Sequence, residues 1–441
     1  MNDLSRLPSC ISLSLSDGTI CSPFQASIVQ LHSKCVGGGR NHVRKFRTQK
    51  TDSSISHFAL PYQSSTSNLL AKCRVPSAAF QVVSHIAQQV AIGKHHLLWH
   101  SGAGEMKFWR VIHRAVGIIA IGVSLCSVHA QNVSSSARGE RQSLDDAWWT
   151  GPMLAASAGT LPRGHFLIEP YFYDVSVQGY YDGDGNRRAA THANGFGSLT
   201  YILYGLADRV SVGLIPVAGI NTISGSSSGG GMGDLSLQGQ YRLTQFHEGS
   251  WVPTTSIVLQ ETLPTGKYDH LGERTNDAMG SGAWTTTLAF YSQKYFWLPN
   301  GRILRGRIDV SQSFSSEVSV KDVSVYGTAE GFRGHAQPGT SFFLDVAGEY
   351  SLTRRWVLAL DVTYRYGANT RVTGFSIDPT GVPNPRSIRL DSGSSHALGL
   401  APAIEYNLNR NLGVLLGVRV IPAGRNTAAT VTPALAINYV H

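Results

Sequence analysis

An alternation of apolar and polar side chains, with a period of two residues, runs from Gly164 to the end of the chain. Successive side chains point to opposite faces in a β-strand, so this period predicts strands. Twelve segments carry it, each close to the roughly 9–11 residues that a tilted strand needs to cross a bilayer. They are 164–175, 194–206, 209–220, 233–244, 251–263, 280–294, 301–314, 338–351, 355–367, 395–407, 411–422 and 428–441.

The alternation gives each segment one apolar and one polar face. In segment 233–244, for example, Leu235 and Leu237 alternate with Asp234 and Ser236. Two architectures produce this pattern. A membrane barrel turns the apolar faces outward to lipid, whereas a soluble β-sandwich turns them inward to a core.

The lengths of the connections separate these two architectures. Short connections follow the even-numbered segments, at 207–208, 245–250, 295–300, 352–354 and 408–410. Long connections follow the first five odd-numbered segments, at 176–193, 221–232, 264–279, 315–337 and 368–394, and only 423–427 is short. Short turns at one end and long loops at the other are typical of outer-membrane barrels. The sequence therefore predicts an all-β protein, a 12-stranded antiparallel transmembrane β-barrel of the outer-membrane type.

Aromatic side chains at the strand ends agree with this architecture. Trp251, Trp297, Trp356, Tyr406 and Tyr439 all lie beside the short connections. Aromatic girdles occupy the lipid–water interfaces of outer-membrane barrels. We therefore expect outer-membrane lipid as a partner and the bacterial outer membrane as the location.

The last segment, 428–441, resembles the C-terminal strand that directs barrels to the barrel-assembly machinery. Tyr439 occupies the expected aromatic position, and His441 departs from the phenylalanine that usually ends this strand. The assembly machinery is therefore a predicted partner.

Residues 106–130 have the three parts of a secretory signal peptide. Lys107, Arg110 and Arg114 form a basic region, an apolar run of 11 residues follows at 115–125, and Ala130 ends a cleavage-type sequence. Since a membrane-spanning helix needs about 20 apolar residues, we rank a signal anchor or a buried helix lower. Cleavage after Ala130 would make residues 1–105 a non-native or disordered extension. It would leave 131–163 as a periplasmic or plug segment and 164–441 as the barrel.

The charge of the chain belongs to its N-terminal part. The formal net charge is +9, but residues 131–441 carry 24 basic and 24 acidic residues and are neutral. A nucleic-acid-binding domain would concentrate positive charge on itself, so no nucleic-acid partner is expected. Residues 131–441 also contain no cysteine. An exported domain without disulfides needs another source of stability, such as a closed sheet.

Three stretches resemble a known family. They are DAWWTGPMLAASAGTLPRGHFLIEPYFYD at 146–174, LPTGKYDHLG at 263–272 and MGSGAW at 279–284. They are similar to the outer-membrane proteins grouped under the meta-pathway of phenol degradation, which are regarded as transporters. The resemblance covers roughly 145–441 and implies a barrel that passes small, aromatic or hydrophobic solutes. The alternative is a non-conducting barrel used for structure or surface contact.

Charged residues on the inferred inward faces are the candidate lumen and selectivity residues. On the seventh to ninth segments they are Arg305, Arg307, Asp309, Asp345, Glu349, Asp361 and Arg365, and Glu169, Glu261, Glu405 and Arg419 add to them. Charges in a narrow interior must pair or meet water. A 12-stranded barrel is expected to leave a narrow passage or one blocked by an inward segment. A salt-bridged network that holds the barrel's shape and a selectivity role both remain open.

Two further clusters carry weaker signals. The loop 182–186, Asp-Gly-Asp-Gly-Asn, resembles part of a calcium loop but lacks the bidentate glutamate. His396, beside Ser394 and Ser395, is the one close set that suggests a hydrolase, and a third polar partner is not evident. The sequence therefore predicts no metal, no cofactor and no enzymatic activity.

Overall fold

The computed structural model describes residues 12–14, 27–29, 141–378 and 381–441. The predicted signal peptide 106–130 lies outside the described residues. So does the predicted extension 1–105, apart from two short strands, Ser12–Ser14 and Ser27–Val29, which pair antiparallel. In the part of the chain that is described, no helix is long and apolar enough to cross a membrane.

Twelve strands, labelled β1 to β12 in chain order, form a closed barrel. They are β1 Phe166–Tyr181, β2 Ala193–Ala207, β3 Val210–Ile215 continued by Val217–Ile223, β4 Leu235–Thr244, β5 Thr254–Leu263, β6 Thr285–Trp297, β7 Ile303–Ser315, β8 Ser341–Ser351, β9 Trp356–Gly367, β10 Ser395–Asn407, β11 Leu412–Arg425 and β12 Thr427–Val440. Each strand pairs antiparallel with the next. Strand β12 pairs with β1 and closes the sheet. The predicted fold class is confirmed.

Most strand ends lie within about three residues of the prediction, and the larger differences are at β1 and at β6, which is Thr285–Trp297 where the sequence predicts 280–294. Strand β1 continues to Tyr181, beyond the predicted end at residue 175, because its last residues still pair with β12. Strand β3 is interrupted at Pro216, since proline has no N–H to donate to the ladder. The carbonyl oxygen of Pro216 still accepts the N–H of Thr200 at 3.1 Å, so the barrel wall stays continuous there.

The apolar faces lie on the outside of the barrel. Leu237, Leu360 and Leu416 are 44%, 41% and 58% exposed, whereas Asp361 and Glu405 are completely buried. A soluble sandwich would bury the leucines and expose the acids. The observed exposure is that of a barrel with lipid outside and polar groups inside.

Two residues lie on faces other than those predicted. Glu261 of β5 lies on the outward face, as does exposed Leu259, and its carboxylate accepts a hydrogen bond from the hydroxyl of Thr286 at 2.6 Å. The prediction that Glu261 faces the lumen is therefore wrong. Trp297 shares the inward face of β6, and its Nε1 donates to the carbonyl oxygen of Gln142 at 2.8 Å. One residue's difference in register reverses the face, which explains both errors.

The connections divide as the sequence predicts, and the long ones carry structure of their own. The loops after β7 and β9 contribute a four-stranded antiparallel sheet of Val318–Lys321, Phe332–Gln337, Arg371–Ile377 and Pro383–Asp391. One face of this sheet packs in an apolar cluster that also includes the loop after β5. Shorter ladder segments are Arg187–Arg188, Ser226–Ser227 and Gly231–Met232, and single 3₁₀ turns are Leu144–Asp146 and Thr275–Asp277.

Candidate functional site

The chain before β1 runs inside the barrel. Met153 and Ala158 are completely buried there, and Leu154 and Ala155 are nearly so. We call residues 141–163 the inner segment. Small side chains let this segment pass close to the wall. The side-chain oxygen of Thr150 lies so close to Gly413 that a β-carbon on residue 413 would collide with it. The carbonyl oxygen of Pro162 lies equally close to Gly205, where a β-carbon would also collide.

Glu405 and Asp361 hold the first part of the inner segment by its backbone. A carboxylate oxygen of Glu405 on β10 accepts the N–H groups of Thr150 at 2.8 Å and Gly151 at 3.1 Å. The carboxylate of Asp361 on β9 accepts three consecutive N–H groups, from Met153, Leu154 and Ala155, at 3.1, 3.2 and 2.9 Å. An irregular segment has no internal partner for these donors, and burial makes unpaired donors costly.

The second part of the segment is held by further inward side chains. Asp309 on β7 accepts the N–H of Ala156 at 2.6 Å. The amide oxygen of Gln293 accepts the N–H of Ala158 at 3.2 Å, and the hydroxyl of Ser256 donates to the carbonyl of Ala158 at 2.6 Å. Inward side chains of β5, β6 and β7 therefore hold this part of the segment.

The two predicted arginines meet on one glutamate. Arg305 and Glu349 are directly opposite across β7 and β8, and Arg305 Nε donates to Glu349 Oε2 at 2.6 Å. Arg307 Nε donates to the same oxygen at 3.0 Å. Arg307 also donates to the carbonyl of Ala155 at 2.9 Å, and the guanidinium of Arg305 lies 4.6 Å from the ring centre of Trp149. The ion pairs therefore join the wall to the inner segment.

Asp345 differs from the other acids. It lies directly opposite Asp309 in the ladder, is completely buried, and is not paired with either arginine. Among the residues that the structure describes, neither oxygen of its carboxylate has a hydrogen-bond partner. Arg365, the last of the seven candidates, is half-buried on the inward face of β9, towards the long loops.

The inner segment fills only part of the barrel. A cavity of about 280 Å³ lies beside it, lined by inward side chains of β1 to β4, β6, β7 and β12. Tyr171, Tyr201 and Leu203 line it together with Glu169, which accepts the side-chain amide of Asn438 at 3.0 Å. The interior thus keeps an open space beside the inner segment.

Sequence reasoning found the inward acids but not their partners. It paired charges with charges, whereas Asp309, Asp361 and Glu405 bind backbone N–H groups of the inner segment. No periodicity exists in residues 141–163 from which such contacts could be inferred. The inward glutamines, such as Gln240, which donates to the carbonyl of Ser157 at 2.9 Å, could have been found from the alternation alone.

The two weaker clusters have other local roles. One oxygen of the Asp182 carboxylate accepts the N–H groups of Asp184 and Asn186, and the other pairs with Arg188 at 2.8 Å. His396 Nδ1 lies 2.7 Å from the hydroxyl of Tyr364, on the outward face of the barrel. Within the described ranges, no group of three or more histidine, cysteine or acidic side chains is placed to hold a metal ion.

A closed 12-stranded barrel with an apolar exterior and a charged, segment-filled interior is a bacterial outer-membrane β-barrel. More particularly, the chain belongs to the family described as "Putative MetA-pathway of phenol degradation", which matches residues 168–435. No curated protein matches the chain.

One solved structure has a similar fold, and two others are weaker likenesses. The first is an outer membrane channel from Pseudomonas putida F1, with a TM-score of 0.50 and 14% identity, where the match covers 65% of this chain and 98% of that one. The monoaromatic hydrocarbon channel TodX, solved as a mutant, gives a TM-score of 0.27 and 11% identity, covering 64% of this chain and 90% of its own. The NanC porin gives 0.33 and 7%, covering 62% and 98%.

Proposed function

We propose that this protein is an outer-membrane channel for small, aromatic or hydrophobic solutes, and that the inner segment acts as its plug. The observation that carries the proposal is the partly filled interior. Hydrogen bonds, a cation–π contact and the apolar packing of Met153 and Leu154 hold the plug in place, and a cavity of about 280 Å³ stays open beside it. The neighbour from Pseudomonas putida F1 is itself an outer membrane channel, which supports the proposal.

The interior is suited to a solute that is not chosen by net charge. Arg305, Arg307 and Glu349 form one mixed-sign cluster with a net charge of a single positive, so a passage beside it has a weak field. Tyrosine and leucine side chains supply apolar contact in the cavity, and a few polar groups supply orientation. We propose that the seven lumen candidates set the shape and polarity of this passage.

The proposal can be tested with a reversible lock on the plug. A β-carbon placed at Gly413 would lie 3.2 Å from the β-carbon of Thr150, close to the separation in a disulfide, so the double variant Thr150→Cys/Gly413→Cys brings two thiols together. Residues 131–441 contain no other cysteine. We expect wild type in planar bilayers to conduct ions, and to carry radiolabelled phenol into proteoliposomes made with lipopolysaccharide.

In the double variant, oxidation should lower both signals and reduction should restore them, whereas the single variant Thr150→Cys should not respond. A lock that forms and leaves both signals unchanged would contradict the role of the plug. A correctly folded wild type that passes neither ions nor phenol above protein-free membranes would contradict the channel itself. The non-conducting structural or surface-contact barrel would then replace it.

The remaining parts of the proposal concern processing, assembly and partners. We propose cleavage after Ala130, which places the mature N-terminus at Gln131, and delivery to the barrel-assembly machinery through β12. We also propose that the protein is not an enzyme and does not bind nucleic acid, in keeping with the neutral charge of residues 131–441. Mass spectrometry of purified outer membranes tests the first point, because abundant peptides from residues 1–105 would contradict it.

A further inference from the structure

Among the described residues that line the cavity, Glu169 on β1 is the one acid. Its carboxylate accepts the side-chain amide of Asn438 on β12 at 3.0 Å and also the hydroxyl of Tyr171. The two arginines that also line the cavity already donate to Glu349. The remaining lone pairs of Glu169 therefore offer a carboxyl acceptor to a molecule in the cavity.

Aromatic rings stand next to this carboxylate. Tyr171 follows Glu169 by two residues on the same inward face, and its ring centre lies 6.1 Å from that of Tyr201 in an edge-to-face arrangement. Leu167 and Leu203 extend the apolar lining along β1 and β2. Edge-to-face and offset stacking with such rings favour an aromatic guest over an aliphatic one.

The size of the cavity limits the guest. An apolar cavity of about 150 Å³ accepts benzene in other proteins. The volume here is about 280 Å³, which suffices for a substituted single ring or a fused pair. A cationic guest would gain from Glu169 but would also face Arg305 and Arg307, which line the same cavity. A neutral guest that donates one hydrogen bond meets no such conflict.

We propose that Glu169, oriented by Asn438, is the specificity-determining residue of a solute-binding site in this cavity. The site selects neutral aromatic alcohols over unsubstituted aromatic hydrocarbons. The ring packs beside Tyr171 and Tyr201, and the hydroxyl donates to the Glu169 carboxylate. This inference rests on the proposed channel function and adds to it a place and a chemical basis for discrimination.

The test compares two probes that differ by one hydroxyl, 4-bromophenol and bromobenzene. Saturable binding to the full-length protein is measured by calorimetry in detergent, and bromine positions are located by anomalous diffraction from soaked crystals. We expect wild type to bind 4-bromophenol about tenfold more tightly than bromobenzene, because a hydrogen bond to the Glu169 carboxyl is gained. The bromine peak should lie in the cavity.

Matched variants identify the residues. Glu169→Met should reduce the tenfold preference to about one, whereas Glu261→Met, which removes an acid from the outward face, should keep it. Leu203→Trp should fill the cavity and abolish saturable binding of both probes, whereas Ile202→Trp, on the lipid side of the same strand, should not. If Glu169→Met fails to fold, Asn438→Leu, which removes the group that orients the acid, should also weaken the preference.

The inference is overturned if wild type binds neither probe saturably, or if Glu169→Met keeps the full preference. It is also overturned if bromine occupies only sites outside the cavity. These results are separate from those for the channel. Flux without saturable binding would remove the site and leave the channel, whereas binding without flux would remove the channel and leave the site.

Discussion

Asp361 provides the most direct test of how the inner segment is held in the barrel. Its carboxylate accepts the N–H groups of Met153, Leu154 and Ala155 at 2.9 to 3.2 Å. Asp361→Ala removes all three acceptor contacts and leaves the barrel ladder of β9 unchanged. We expect the segment to open locally far more often in this variant.

The size of the effect follows from the number of bonds. A hydrogen bond to a charged group contributes about 1.5–3 kcal/mol, so three bonds set an upper limit of roughly 5–9 kcal/mol. Water entering the vacated site will satisfy part of this loss, and Glu405 and Asp309 still hold the segment on either side. We therefore expect the local opening free energy to fall by about 2–4 kcal/mol. This corresponds to a roughly thirty- to thousandfold faster exchange.

Hydrogen exchange read by mass spectrometry on peptides that span residues 150–158 measures this change. The matched control is Asp345→Asn, which alters a neighbouring buried aspartate whose carboxylate accepts no hydrogen bond from the segment. Exchange in the control should stay near the wild-type rate. Equal acceleration in both variants, or none in Asp361→Ala, would refute the view that carboxylate-to-backbone bonds hold the segment.

Three further predictions concern the wall, the charge cluster and the outer loops. Leu360→Arg should destabilise the barrel by about 2–4 kcal/mol in a refolding titration, because Leu360 faces lipid. Gln238→Arg should destabilise it much less, because Gln238 faces the interior. Similar values for the two variants would contradict the assigned faces. Replacing Arg305 and Arg307 with alanine should leave a net negative interior, and an unchanged reversal potential in a salt gradient would remove them from the pore. Partial burial raises the pKa of Asp322, but hydrogen bonds from an arginine and a backbone amide outweigh it and hold that pKa below its usual value. The stabilisation that Asp322 gives the loop sheet should therefore be complete above about pH 4 and be lost as pH falls through the lowered pKa. Asp322→Asn should reduce the pH dependence in pH-resolved hydrogen exchange. Asp391 in the same sheet accounts for the rest, since hydrogen bonds from Asn369 and Arg389 lower its pKa.

The alternation along the chain was sufficient to predict the barrel, since a strand's two faces are a local property. Leu235 and Ser236 are neighbours in sequence and cannot share a face, so the wall's polarity follows from residue order. The segregation of short and long connections then distinguished a barrel from a sandwich. Where the register differed, at Trp297 and Glu261, the side chains point the other way, because a slip of one residue inverts the pattern.

The partners of the inward charges were decided only by the tertiary structure. Glu349 meets two arginines because β7 and β8 align at one register, which the long loop between them does not encode. Asp361 and Glu405 lie more than 200 residues from the backbone groups that they bind. A backbone N–H group is the same whichever residue it belongs to. The sequence of an irregular segment such as 141–163 therefore gives no local signal of where the segment will lie. Its position depends on the shape of a barrel that exists only after all twelve strands have paired.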